Sequence, residues 1–259
     1  MRLSGTRVAL EMFLSPDELP GSFDWQAAIT RFTTDLTLPN LRSAESAAAK
    51  VRGEALLRKP EELVKILTRR DRMQAAAIAA YALPAIVPVW GTAAAAVAAA
   101  EALRRLLLSS VQVTAKIGFL LGHDLNVEPD GQAGILLVLL RRAVALDVTG
   151  RAEPGAVLGD LAWLLEGPSA YSRLLGLSHD DRAAVVASQP AILEAWAWTH
   201  GPWLAAGLLP AGVGVFAAAQ YIDRAVFKPT VAEAVAVFSS PQVSEACALD
   251  DLPDEDLPQ

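Results

Sequence analysis

MQAAAIAAYALPAIVPVWGTAAAAVAAA, residues 73–100, runs for 28 positions without Asp, Glu, Lys or Arg, and 14 of those positions are alanine. A second uncharged stretch of 28 residues, 195–222, reads AWAWTHGPWLAAGLLPAGVGVFAAAQYI. A helix needs about 20 apolar residues to cross a bilayer, and each of these stretches is longer than that. These two uncharged stretches decide the fold class, because they have to be buried in protein or in lipid.

Proline and glycine interrupt both uncharged stretches. An unbroken 28-residue helix would be about 42 Å long, whereas each arm of a stretch split near its middle is about 15 Å, too short to cross a bilayer alone. We therefore predict that each stretch forms a hairpin of two short helices, buried in protein or inserted shallowly into a membrane. True membrane spans and a soluble bundle with a very apolar core are the alternatives. The predicted turns contain Pro84, Pro88 and Gly91, and then Gly201, Pro202, Gly207, Pro210, Gly212 and Gly214.

Small residues predict close helix packing in and between these stretches. A half-alanine segment gains little from lipid, since Leu, Ile, Val and Phe supply most of the transfer free energy. Small side chains instead let two helix backbones approach each other. The predicted packing residues are Gly91, Ala95, Gly118, Gly122, Gly212 and Gly214.

Few segments alternate with a period of two, so the chain is predicted to be an all-α helical bundle with two Ala/Gly-rich apolar hairpins, which are either buried in protein or inserted in a membrane. Three regions are expected: an N-terminal helical region with a basic flank (1–72), an apolar helical core (73–238) and an acidic disordered tail (239–259). Asn40 and Ser178 are predicted N-caps. The helix 103–122 is predicted to break at Ser109 and Ser110.

Composition limits the possible functions. Of 259 residues, 53% are hydrophobic and 20% charged, which excludes a disordered chain. The net charge of −7 argues against a nucleic-acid partner. Cys247 is the only cysteine, so neither an intrachain disulfide nor a cysteine-based metal site is expected, and no cofactor is predicted.

Basic and aromatic residues flank the uncharged stretches. The basic residues are predicted to attract anionic lipid headgroups, at about 1 kcal/mol each, and to keep both ends of the first stretch on the cytoplasmic side; a solvated helix face is the alternative. Tryptophans near the stretches are predicted membrane contacts, with core anchors as the alternative. The headgroup residues are Lys65, Arg69, Arg70, Arg72, Arg104 and Arg105, and the tryptophans are Trp90, Trp196, Trp198 and Trp203.

Histidine and aspartate give one weak indication of metal chemistry. His123, His179, Asp180 and Asp223 have the residue types of a metal-dependent phosphohydrolase, but helix capping explains the segment from Ser178 to Asp181 equally well. His200 is expected to be a turn or core residue. Serine-hydrolase and nucleotide-binding patterns are not supported.

Residues from about 79 to 238 resemble the EcsC family of bacterial proteins in three motifs. These are Leu83-Pro84-(x3)-Pro88-Val89-Trp90-Gly91, the segment from Lys116 to Leu125, and Leu209-Pro210-Ala211-Gly212-Val213-Gly214 followed by Gln220-Tyr221. His123 and Gln220 stand where the family pattern has an aromatic residue and an Asn. The resemblance implies a helical, membrane-associated protein, sometimes linked with an ABC exporter, and it implies no reaction and no catalytic residue.

The favoured hypothesis is therefore a non-enzymatic, membrane-associated helical protein that binds lipid or a membrane protein. It would lie at the cytoplasmic face of the inner membrane, or in the cytoplasm. The alternatives are a pore-forming or membrane-inserting bundle and a soluble metal-dependent phosphohydrolase.

Overall fold

The structure, a computed structural model, describes residues 25–34, 39–54, 60–68, 91–127, 129–145, 170–208 and 222–239. Of these residues 87% are helical and none is in a strand, so the prediction of an all-α helical bundle is confirmed for this part of the chain. The elements are α1 (Trp25–Thr34), α2 (Arg42–Glu54), α3 (Pro60–Thr68), α4 (Gly91–Leu120), α5 (Asp130–Ala145), α6 (Ala170–Leu175), α7 (His179–Ala187), α8 (Gln189–Leu208), a π-helical turn (Asp223–Phe227) and α9 (Lys228–Phe238).

Helix α4 is the axis of the bundle. Its 30 residues make it about 45 Å long, and α1, α2, α3 and α9 pack against it. Leu103, Leu106 and Leu107 recur at helical spacing and are fully buried in the core. The predicted break at Ser109 and Ser110 is wrong, because the Ser110 hydroxyl donates to the Leu106 carbonyl (2.9 Å) and the helix continues.

Local caps follow the sequence closely. The Asn40 side chain accepts a hydrogen bond from the Arg42 amide (2.8 Å), ahead of α2. The Ser178 hydroxyl accepts one from the Asp181 amide (3.1 Å) at the start of α7. Both predicted N-caps are therefore confirmed, as expected for interactions within four residues of sequence.

The described parts of the two uncharged stretches form longer helices than predicted. Residues 91–100 are the first third of α4, not a separate short arm. Helix α8 passes through Gly201, Pro202 and Gly207, so the first part of the predicted second turn is helical. A proline removes one backbone hydrogen bond from a helix, and α8 nevertheless continues through Pro202 to Leu208. The other predicted turn residues of this stretch, Pro210, Gly212 and Gly214, and those at 84 and 88, lie outside the described residues.

Among the described residues, no helix combines the length and the apolar composition that crossing a membrane requires.

Side-chain contacts fix the directions of the helices. Helices α5 and α8 are parallel, since Gln132 bonds to Gln189 near their first turns (2.6 Å) and the Thr199 hydroxyl donates to the Ala143 carbonyl (3.4 Å) further along. Helix α9 runs the opposite way to α5: Phe238, at its end, packs on Gly134 in the first turns of α5.

The described parts of the two uncharged stretches lie at the same end of the bundle. Phe238 also packs on Gly118, near the end of α4, and the π-helical turn contacts α4, so α4 and α9 run in one direction and α5 and α8 in the other. The start of α4 and the end of α8 therefore point the same way. We call this the apolar end; it comprises residues 91–100 of α4, 195–208 of α8, the last turn of α5 and the π-helical turn.

At the opposite end, α4 stops in a glycine cap. Gly122 has φ +94°, its amide donates to the Phe119 carbonyl (3.1 Å), and the His123 amide donates to the Gly118 carbonyl (3.0 Å). This is the Schellman arrangement, which needs the left-handed conformation that glycine adopts most easily. A Cβ on Gly122 would meet no other atom within 4 Å. Gly122 thus ends the helix, and it is not the packing residue that the sequence predicted.

Two glycines in helices make a matched test of this packing. A Cβ on Gly131, in the first turn of α5, would lie 2.0 Å from the carbonyl oxygen of Leu125, whereas a Cβ on Gly53, in α2, would meet nothing within 4 Å. Gly131→Ala is expected to lower the free energy of unfolding by about 1–3 kcal/mol, because backbone must move to relieve the overlap. Gly53→Ala is expected to raise it by about 0.5–1 kcal/mol, since alanine loses less conformational entropy in a helix. Urea denaturation of both variants measures the difference, and equal effects would contradict the described approach of Leu125 to α5.

Candidate functional site

At the apolar end, three of its elements and the adjoining helix α9 surround a group of buried polar side chains. Arg142 comes from the last turn of α5, Trp196 and His200 from α8, the Ala225 carbonyl from the π-helical turn, and Glu233 from α9. A π-helical turn of this kind is frequently found at functional sites. Here it presents a backbone carbonyl to the arginine, and we call the side chains of Arg142, Trp196 and His200 the buried nitrogen cluster.

Arg142 is the charged member of the cluster. Its side chain is almost entirely buried, with the residue only 6% exposed. One terminal nitrogen donates to the Ala225 carbonyl (3.2 Å), and Nε has no hydrogen-bond partner within the described residues. Burial lowers the pKa of the guanidinium, and the negative charge of Glu233 acts in the opposite direction. A guanidinium remains protonated at neutral pH in proteins, so α5 carries a buried positive charge at this point.

His200 is the second member. It is 2% exposed, its ring centroid lies 4.4 Å from that of Trp196, and its Nε2 has no partner within the described residues. Burial, and then the positive charge of Arg142, lower the pKa of His200 to about 3. The imidazole is therefore neutral at physiological pH.

Trp196 completes the cluster. Its side chain is 0% exposed, and its indole Nε1 is likewise buried with no partner in the described part of the chain. An indole N–H is a donor only and usually finds an acceptor when it is buried. The cluster thus contains three buried nitrogens that have no hydrogen-bond partner among the described residues, in side chains of the two neighbouring helices α5 and α8.

Surrounding charges are paired with one another. Arg141, next to Arg142, forms an ion pair with Glu233 of α9. Asp223, which starts the π-helical turn, lies 3.3 Å from the Lys228 ammonium. The Arg142 guanidinium has no carboxylate within salt-bridge distance in the described residues, although Glu233 acts on it at longer range.

A second cluster ties the opposite end of the bundle together. His123 Nε2 donates to the Phe238 carbonyl (2.7 Å). Its ring lies 4.9 Å from Tyr171 and 5.5 Å from Phe238. Burial, followed by the charges of Asp130 and Asp124, raises the pKa of Tyr171 to about 12. The short glycine contacts at 118 and 134 make room for these rings, so the cluster is a packing junction between α4, α5, α6 and α9.

The residues of the metal hypothesis are not brought together. His123 is bound to a backbone carbonyl, His179 and Asp180 are exposed on α7, and Asp223 pairs with Lys228 at the apolar end. Among the residues that the structure describes, no three His, Cys, Asp or Glu side chains are grouped so that they could hold a metal ion.

The tryptophans predicted as membrane contacts differ in their placement. Trp196 is a core anchor, with no exposed surface, because its ring packs on His200 inside the bundle. Trp198, two residues further along α8, is 36% exposed. Trp90 and the side chain of Trp203 lie outside the described residues.

The predicted headgroup residues are partly paired within the chain. Arg104 and Arg105 both bond to Glu101 on the same face of α4, through 2.7 Å and 2.6 Å contacts. The hydrogen bond from Arg104, joined by that from Arg105, lowers the pKa of Glu101 against the effect of burial. Lys65 is exposed on α3, and the prediction for 69, 70 and 72 lies outside the described residues.

The predicted packing residues are also divided. Gly118 is a close-packing position, since a Cβ there would lie 2.6 Å from Leu125 Cδ1. Gly91 and Ala95 lie in the first turns of α4, in a part of the helix whose side-chain packing the structure does not describe. Gly212 and Gly214 lie outside the described residues.

Sequence reasoning missed Arg142. The sequence did contain a signal: Arg141 and Arg142 interrupt a helix that is apolar on all sides, so at least one of them has to face the core.

Comparison with known proteins identified no relative: no family model, curated protein or solved structure matches the chain.

Burial of neutral His200 predicts a specific loss of stability in acid. Its folded-state pKa is depressed below the ordinary value near 6.5, so the stabilisation is present above that pH and is lost as the pH falls toward 3. The free energy of unfolding is expected to fall by about 1.4 kcal/mol per pH unit through this window on account of this residue. His200→Gln should remove that part of the slope, and His179→Gln, at an exposed position, should retain it. Urea denaturation across the acid range measures both, and identical slopes in the two variants would contradict the buried neutral imidazole.

Proposed function

We propose that the protein is a non-enzymatic, membrane-associated helical protein whose apolar end engages the lipid bilayer. The proposal is carried by the helix directions, which put the described parts of both uncharged stretches, 91–100 and 195–208, at the same end of the bundle. Two such segments at one end of a bundle concentrate apolar surface there. Apolar surface at one end of a bundle is stabilised when it is buried in the acyl region of a bilayer.

Exposed apolar side chains support the choice of this end. Val97 on α4 is 43% exposed and Trp198 on α8 is 36% exposed. Each lies within one of the uncharged stretches. An indole suits the membrane–water interface, where its ring meets acyl chains and its N–H meets water and headgroups. We further propose that the two stretches enter the bilayer as shallow helical hairpins.

Charge placement on α4 supports the same orientation. Glu101, Arg104 and Arg105 follow Val97 by one to two helical turns, about 6–12 Å along the axis. Together the three residues carry one net positive charge, and the two arginine side chains are 37% and 38% exposed. A bilayer that receives Val97 would therefore have its headgroups level with these cations, and each cation near an anionic surface contributes about 1 kcal/mol.

The resemblance to the EcsC family is consistent with this function. It supports a bacterial protein at the cytoplasmic face of the inner membrane, and it suggests an exporter of the ABC class as the membrane-protein partner, if a protein rather than lipid is the target. Neither partner requires a cofactor or a nucleic acid.

Two exposed valines at opposite ends of the bundle provide a matched test. Val97 is at the apolar end and Val127 is in the loop after α4, 43% and 49% exposed respectively. Val97→Glu is expected to lower binding to phosphatidylcholine vesicles containing phosphatidylglycerol by about tenfold, because a carboxylate is disfavoured in the bilayer and repelled by its headgroups. Val127→Glu should bind as the unaltered protein does. Co-sedimentation of the full-length chain with the vesicles is the measurement.

The proposal fails if the unaltered protein stays in the supernatant with these vesicles, or if Val127→Glu loses as much binding as Val97→Glu. Circular dichroism of both variants controls for loss of the helical fold. If the protein also releases a dye trapped in the same vesicles, the result favours the pore-forming alternative over binding at the membrane surface.

A further inference from the structure

We propose that the buried nitrogen cluster, Arg142, His200 and Trp196, is a binding site for one anionic group, a carboxylate or a phosphate. The site lies inside the apolar end, between α5, α8 and the π-helical turn. It is distinct from the exposed surface proposed to meet the membrane, and it can exist whether or not that surface binds lipid.

Three buried nitrogens of the cluster have no hydrogen-bond partner among the described residues. Arg142 Nε and Trp196 Nε1 are donors, and His200 Nε2 becomes a donor in one tautomer of the neutral ring. All three atoms are buried without a partner among the described residues. Leaving buried donors unmet costs about 1–3 kcal/mol each, so three of them in one place favour a bound acceptor.

The side chains of Arg142, His200 and Trp196 come from helix segments that pack against one another. Thr199 bonds to the Ala143 carbonyl, which places His200 on the turn of α8 that lies against Arg142 on α5. The rings of Trp196 and His200 are 4.4 Å apart, and the charge of Arg142 acts directly on His200. Arg142 itself is held by the Ala225 carbonyl. These contacts place the three side chains at the interface of α5, α8 and the π-helical turn.

The positive charge of the buried Arg142 guanidinium favours an anion over a neutral acceptor. Among the described residues, Arg141 is paired with Glu233 and Lys228 with Asp223, and the buried guanidinium of Arg142 has no carboxylate within salt-bridge distance. A water molecule could accept the hydrogen bonds but would not neutralise the charge, whereas an anion does both. An arginine fork, an indole N–H and an imidazole N–H together form a donor set suited to the oxygens of a carboxylate or phosphate.

The experiment uses the full-length protein labelled with 15N. The cross-peak of the Trp196 indole N–H is identified by its loss in Trp196→Phe, and it is followed during titration with sodium phosphate and with sodium octanoate, using sodium chloride as the control salt. The expected result is a saturable shift of that cross-peak with phosphate or octanoate. Absence of a saturable shift with both soluble anions and with vesicles that contain phosphatidic acid overturns the proposal.

Variants test which side chain holds the anion. Arg142→Met is expected to weaken binding about tenfold to a hundredfold, as loss of a charge-assisted hydrogen bond implies. Arg224→Met makes the same change at an exposed arginine of the π-helical turn, and it should leave affinity unchanged. Equal affinity in Arg142→Met and the unaltered protein overturns the assignment. If Arg142→Met does not fold, Arg142→Lys, which keeps the charge and loses the fork, takes its place with a smaller expected loss.

A final arm separates the two sources of the anion and the two proposals. Phosphatidylcholine vesicles containing phosphatidic acid are added in place of the soluble anions. A shift of the Trp196 cross-peak with these vesicles identifies a lipid headgroup as the ligand, and a shift with soluble anions alone identifies a free ion. Saturable phosphate binding by a protein that fails to co-sediment with vesicles would retain the anion site and reject the proposed membrane function.

Discussion

Burial of the long helix α4, whose first third is uncharged and rich in alanine, is the constraint on which the rest of the structure depends. In helix α4, 10 residues of alanine-rich sequence are followed directly by a segment in which Leu103, Leu106 and Leu107 are fully buried. Alanine provides little apolar area, so the helix gains stability mainly through close contact with neighbours along its length. Helices α1, α2, α3 and α9 supply those contacts, and they make the predicted N-terminal region and the predicted apolar core share one hydrophobic core.

The two ends of that core are built differently. One end is closed by short-range devices: a glycine cap at Gly122, the His123 bond to Phe238, and Arg52, which donates to the last carbonyls of α4, including Leu120 at 2.8 Å. The apolar end instead contains a buried arginine, a buried neutral histidine and an irregular helical turn. Buried charges and unmatched donors oppose folding, so a protein that keeps them usually uses them.

Sequence patterns predicted the interactions that are local. All-α structure and the Asn40 and Ser178 caps each depend on residues a few positions apart. The failures involve partners distant in sequence. Two adjacent serines lower helix propensity, but packing against neighbouring helices can outweigh that effect. Helix α4 is continuous through Ser109 and Ser110. Trp196 and Trp198 have the same composition around them, and only the arrangement of α5 and α8 decides which one is buried. Arg142 could have been suspected from its apolar neighbours, but its partner carbonyl at Ala225 is 83 residues away.

The central claim is that the end of the bundle at which the uncharged stretches lie is the one that meets the membrane. Hydrogen–deuterium exchange of the full-length protein, with and without vesicles containing phosphatidylglycerol, tests it most directly. The account predicts added protection at the start of α4 (91–100) and the end of α8 (195–208), with no change around the glycine cap and the first turns of α5 (121–127 and 129–134). Protection confined to the glycine-cap end, or no change at either end, would contradict it.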